Sequence, residues 1–331
     1  MASKPSIGGQ AVMEGVMMRG PVSWAVAVRK PNREIAVETH PLPGHNERHT
    51  WLKWPFFRGV YVLVESLSIG MRSLKISAHY ALEDETEKPP TTAINWSMGV
   101  AMVVISAIFI AIPALISKLG GVHLGVRGDL WQNLFEGAIR ISFFLGYIFL
   151  ISLIPDIRRV FQYHGAEHKT IYAYENDDPL EPEIVDTYTT LHVRCGTNFL
   201  FIVMFLTIAG HFVLDVLLHG YPVWLKIVAR LMVIPLLAGS SYEVIRAAGR
   251  NDKSIIFRIA SLPGLALQKI TTRPPTRDQI EVAIKAMEAV IVREPVAQPA
   301  AEAKTMTVSG RAPVPGKGLR PEPGAAGATS A

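Results

Sequence analysis

The chain has 331 residues, a formal net charge of +5, 49% hydrophobic residues and a mean hydropathy of +0.26. That is too apolar for an ordinary soluble domain, the length leaves room for two domains, and a basic excess with no aromatic-interleaved basic patch argues against a nucleic-acid partner. The single cysteine, Cys195, excludes an internal disulfide.

In chain order, Met1 to Gly20 carries no charged-then-apolar signal-peptide pattern. Residues 8–42 read as β structure, with Trp24 to Arg29 and Glu34 to His40 flanking a turn at Lys30-Pro31-Asn32-Arg33. Residues 1–54 are therefore expected to form a small β-rich amino-terminal part. Residues 55–82 look helical but carry Arg58, Glu65, Arg72 and Lys75, a charge load that suits an interfacial or packed amphipathic helix better than a span. Glu83 to Pro90 is an acidic, proline-ended linker, and it closes this second region near residue 92.

A membrane domain is expected over residues 93–242, with about four transmembrane helices. Trp96 to Ile116 is long enough and uncharged. Trp131 to Ile154 follows, with Glu136 and Arg140 placed to pair at i and i+4. Phe199 to Leu218 contains His211 and Asp215, and Tyr221 to Gly239 contains Lys226, Arg230 and Pro235. Charges on the last two segments are expected to neutralise one another across a tight helical hairpin. Lys and Arg concentrate before the first span, between the second and third, and after the fourth. The positive-inside rule then puts both termini, and the loop over residues 155–198, on the cytoplasmic side of the cytoplasmic membrane. Residues 243–293 should be carboxy-terminal cytoplasmic helices. The last runs from Arg277 to Arg293, with Ile280, Ala283, Ile284, Met287 and Ile291 at helical spacing and Thr276 or Asp278 as cap. Residues 294–331 are rich in Pro, Ala and Gly and are expected to be disordered. No internal repeat is present.

The chemistry centres on His164-Gly165-Ala166-Glu167-His168, which has the form H-x-x-E-H. On a helix the two histidines share one face and can grip one metal ion, while Glu167 can act as general base toward a water. A second cluster, His192-Val193-Arg194-Cys195, adds a nitrogen and a soft sulfur ligand three residues apart. That donor set favours zinc over iron as the divalent metal. His164 and His168 would hold the metal, with His192 or Cys195 completing the sphere, and Arg194 can stabilise developing negative charge. Glu14 and Glu243 are the candidates for an additional or outer ligand. The competing structural reading of Glu14 is a local salt bridge with Arg19. For the His and Cys residues it is a set of hydrogen bonds that tie the loop to the membrane surface.

Several separated stretches resemble the YqhQ-like family of bacterial membrane proteins. They are Gly8 to Pro21, His164 to Lys169, Arg194 to Phe199, Ser241-Tyr242-Glu243, and Leu267 to Pro275 leading into Ile280 to Ile284. The resemblance covers residue 7 to about 292. Val193 departs from a family proline and Pro274 from an acidic residue. The resemblance implies a membrane protein with a metal-dependent activity and supplies no substrate. The leading expectation is a metal-dependent hydrolase at the cytoplasmic membrane face. Its rivals are a transport or channel-like protein using His211 and Asp215, and a non-catalytic scaffold with a structural metal. Membrane lipid is the expected partner, with an unidentified substrate and room for a homo-oligomer.

Overall fold

The computed structural model describes residues 5, 7–42, 54, 57–81, 91–106, 108, 112–123, 129–250 and 255–291. The expected linker over 83–90 and the tail beyond 294 lie outside them. The fold is mainly helical, with a small amino-terminal sheet. Its strands are β1 (Gly8–Val12), β2 (Gly15–Arg19), β3 (Ser23–Arg29) and β4 (Ile35–Pro41), antiparallel in sequence order. The β2–β3 register pairs Met17 with Val26, and the β3–β4 register pairs Val26 with Glu38. Strands alternate their side chains between faces. Val16, Met18, Ala25 and Ala27 therefore enter one apolar cluster, and Met17, Trp24, Val26 and Val28 enter another. Both faces are covered, which explains why β3 is apolar along almost its whole length rather than alternating.

Helix α1 (Phe57–Ala81) covers the second face through Ile69, Ile76 and Tyr80. The first face is covered by α5 (Pro155–Glu175) and α10 (Arg277–Ile291), which contribute Tyr163, Ala166, Ile280, Ala283, Ile284 and Met287. Helix α10 begins as its sequence dictates: the Gln279 side chain accepts the Thr276 backbone N–H at 2.9 Å, one half of a capping box. Its buried face includes the residues expected from the helical spacing, Ile291 excepted, which is half-buried.

Among the described residues three helices are long and apolar enough to cross a membrane. They lie within α4 (Asp129–Ile151), α7 (Gly196–Leu217) and α8 (Val223–Arg250). Their large apolar side chains, among them Phe149, Phe205 and Met232, stand exposed, a surface suited to lipid rather than water. The described parts of the segment expected as the first span include α2 (Thr91–Ser106) and α3 (Ile112–His123), and residues 107 and 109–111 between them lie outside the described residues. Within the apolar helices four of the charges pair as expected, while His211 Nε2 is buried without a hydrogen-bond partner. Arg140 donates to Glu136 at 2.7 Å, and Arg230 donates to Asp215 at 2.5 Å.

Helix α9 (Ile255–Thr271) returns the chain to α5. The segment after it crosses α5 so closely that Arg273 donates its backbone N–H to Phe161 O at 2.9 Å. A Cβ on Gly165 would stand 2.2 Å from the Arg273 carbonyl oxygen, so only glycine permits this crossing. Gly165→Ala is expected to cost more than about 2 kcal/mol, as overpacking against backbone does. Gly146→Ala, with nothing within 4 Å of the added carbon, should leave the unfolding midpoint unchanged or raised. Thermal unfolding of the two variants beside wild type checks this.

Candidate metal centre

Helix α5 starts with Pro155 in its first turn and runs unbroken through the H-x-x-E-H residues, which settles their helical spacing. Its central turns are buried from Tyr163 to Ile171 apart from half-buried His164, because the sheet, α10 and the 271–276 segment surround it.

Two backbone carbonyls decide how the histidines present themselves. His164 Nδ1 lies 2.9 Å from the Thr271 oxygen, and His168 Nδ1 lies 2.5 Å from the Thr190 oxygen. A carbonyl only accepts, so each Nδ1 carries the proton of the neutral ring and each Nε2 presents its lone pair. The Nε2 of His164 is 3.2 Å from Cys195 Sγ. The Nε2 of His168 is buried without a hydrogen-bond partner. The ring centroids are 4.4 Å apart, and the ligand atoms of His164, His168 and Cys195 all lie within 4.8 Å of one another. Cys195 is itself oriented by the start of α7, where its sulfur accepts the Thr197 N–H at 3.4 Å. Burial holds the His168 imidazole below its ordinary pKa, which keeps it in the neutral form a ligand requires. Two imidazole nitrogens and a sulfur, each with its other contacts satisfied, are a set that could hold a metal ion.

Glu167 lies beside them, buried. Burial raises its carboxyl to about 7, against the opposing pull of His164 and of the Gly9 backbone N–H. Its Oε2 has no hydrogen-bond partner. Strand β1 approaches so closely that a Cβ on Gly9 would meet Glu167 Oε1 at 2.8 Å.

The remaining expected site residues are placed differently. His192 Nε2 faces Glu175 Oε2 at 3.6 Å, outside the metal-ligand group, and its backbone is clamped in both directions by the Gln268 amide. Arg194 pairs with the same Glu175. Burial works to raise the Glu175 carboxyl, yet the hydrogen bond from His192 and the charge of Arg194 outweigh it and hold the pKa below the usual carboxylate range. Glu14 does not pair with Arg19. It binds Arg159 and accepts from the Tyr163 hydroxyl at 3.2 Å, while Arg19 pairs with Glu65. Glu243 is held by Arg58 through two bonds, at 3.1 and 2.5 Å, so this carboxylate is already committed.

Thr190, Thr271, Gly9, Gln268 and Glu175 escaped the sequence reading as site residues. Three of them act through backbone groups, which leave no side-chain signature. Gly9, Gln268 and Thr271 nevertheless fall inside the stretches that carry the family resemblance. A cavity of about 760 Å³ opens onto His164, Glu167, His168 and Cys195.

The sequence has a known relative and a matching family. The chain is 33% identical over 307 residues to the uncharacterized protein YqhQ of Bacillus subtilis (strain 168), covering 89% of this chain and 95% of that one. No solved structure matches. Residues 54–293 match the family described as protein of unknown function (DUF1385), and the chain belongs to that family.

Proposed function

We propose that the protein is a metal-dependent hydrolase of the cytoplasmic membrane that works at the cytoplasmic face. The observation that carries this reading is the pair of carbonyl-tethered histidines whose free Nε2 atoms converge with Cys195 Sγ beside a buried, partnerless carboxylate oxygen. His164, His168 and Cys195 hold the ion, and three protein ligands leave one position open, as catalytic rather than structural sites do. The nitrogen and sulfur donors favour zinc, with iron second. Such an ion polarises a scissile carbonyl and makes water nucleophilic near neutral pH. Glu167 takes a proton from the attacking water and returns it to the leaving group. His192, Glu175 and Arg194 form the adjacent wall. Arg194 is positioned by Glu175 and lends its charge to that side of the site.

The positive-inside distribution puts both termini and the 155–198 segment in the cytoplasm. That orientation needs an even number of crossings, which α2 and α3 complete if together they serve as the first. Pairing of Glu136 and Asp215 with Arg140 and Arg230 favours a structural role for the intramembrane charges over a transport path.

Elemental mass spectrometry of the purified protein should find near-stoichiometric zinc or iron that is lost in the His164→Ala/His168→Ala double variant. A folded wild type that takes up neither metal would overturn the reading. Glu167→Gln should retain the metal but lose about a hundredfold or more in hydrolytic rate, the usual scale for removing a general base. Full activity in that variant would refute the assigned role.

A further inference from the structure

The cavity's walls point to the kind of molecule that fills it. Its volume of about 760 Å³ lies within the range of small-molecule sites. The ligand group and Glu167 form one polar wall. Much of the remainder is apolar, including Leu63 and Ile69 from α1, Phe161 from α5, Phe199 from α7 and Ile245 from α8. Leu200, which also lines it, is 53% exposed on the first turns of an apolar helix that can cross a membrane. The cavity is therefore built against the ends of membrane helices.

Charge narrows the occupant. The two arginines on its wall are both engaged, Arg19 by Glu65 and Ser66, and Arg194 by Glu175. Among the described lining residues no arginine or lysine remains free for a phosphate. Backbone chemistry narrows it further. An extended peptide needs partners for its amides, and a sheet edge is the usual source. β1 is the edge strand that lines the cavity, but α5 packs along it, and the outward N–H of Gly9 already bonds to Glu167. The walls from α1, α5, α7 and α8 are helical and have no main-chain groups to spare for peptide amides. A hydrocarbon chain carries no such groups.

We propose that the cavity takes the acyl chain of an uncharged membrane amphiphile and presents its ester or amide carbonyl to the His164, His168 and Cys195 group. This rests on the hydrolase reading of the same site. In the reaction a water oxygen bonds to the carbonyl carbon, and the bond from that carbon to oxygen or nitrogen breaks. The leaving atom takes the proton that Glu167 removed from the water. The products are a fatty acid and an alcohol or amine, and water is the only co-reactant.

The test uses the full chain in zinc-supplied lipid nanodiscs and an uncharged fatty acyl ethanolamide carrying a diazirine in its chain. Cross-links are mapped by peptide mass spectrometry, and zinc is measured on the same samples. Labelling should fall on residues 62–69 and 199–200. It should drop about tenfold in Leu63→Trp and in the mouth variant Leu200→Trp while zinc content holds. Labelling confined to lipid-facing Phe149 and Met232, or displacement by hexadecyl phosphate or an apolar peptide but not by unlabelled amide, overturns the acyl proposal. Zinc retained without cavity labelling refutes that proposal alone, whereas absent zinc refutes the hydrolase reading beneath it.

Discussion

Two hydrogen bonds from imidazole Nδ1 to main-chain carbonyls, His164 to Thr271 and His168 to Thr190, set the terms for the rest of the site. Each fixes a tautomer and a ring orientation, and together they turn both Nε2 atoms toward Cys195. Free histidines at i and i+4 on an exposed helix would rotate and titrate independently. Here the rings are held by backbone, which cannot swing away as a side-chain partner could. Gln268 adds to this by clamping the backbone of His192, within the segment that delivers the Thr190 oxygen and Cys195.

The fold serves these tethers. The Thr271 carbonyl reaches His164 because the chain between α9 and α10 passes over α5 at Gly165. α10 fixes the far end of that passage with its capped start and its buried apolar face on the sheet. The sheet in turn brings the edge strand β1 and its Gly9 N–H to Glu167. Cys195 comes from the opposite direction, at the first turn of a helix apolar enough to enter a membrane. The three residues thus join the sheet-and-helix layer to the long apolar helices, and both parts must be in place before the three ligand atoms can meet.

Much of this was legible in the chain. H-x-x-E-H announced a shared helical face, the apolar run after Cys195 announced a helix long and apolar enough to cross a membrane, and the two strands fell on either side of the turn at Lys30 to Arg33. Other features were invisible for physical reasons. The carbonyls of Thr190 and Thr271 belong to the backbone, and any residue type supplies one. Glu14 meets Arg159, and Glu243 meets Arg58, across separations of 145 and 185 residues, for which no local periodicity exists. The nearest arginine in sequence was therefore the wrong partner for Glu14.

The central claim concerns which atoms bind the ion, and X-ray absorption at the metal edge of the purified, zinc-loaded protein reports on that directly. The account predicts one sulfur near about 2.3 Å and two imidazole nitrogens near about 2.0 Å, with a light-atom ligand in the remaining position. The sulfur shell should vanish in Cys195→Ala. A spectrum without sulfur, or one in which three imidazoles close the sphere and draw in His192, would contradict it.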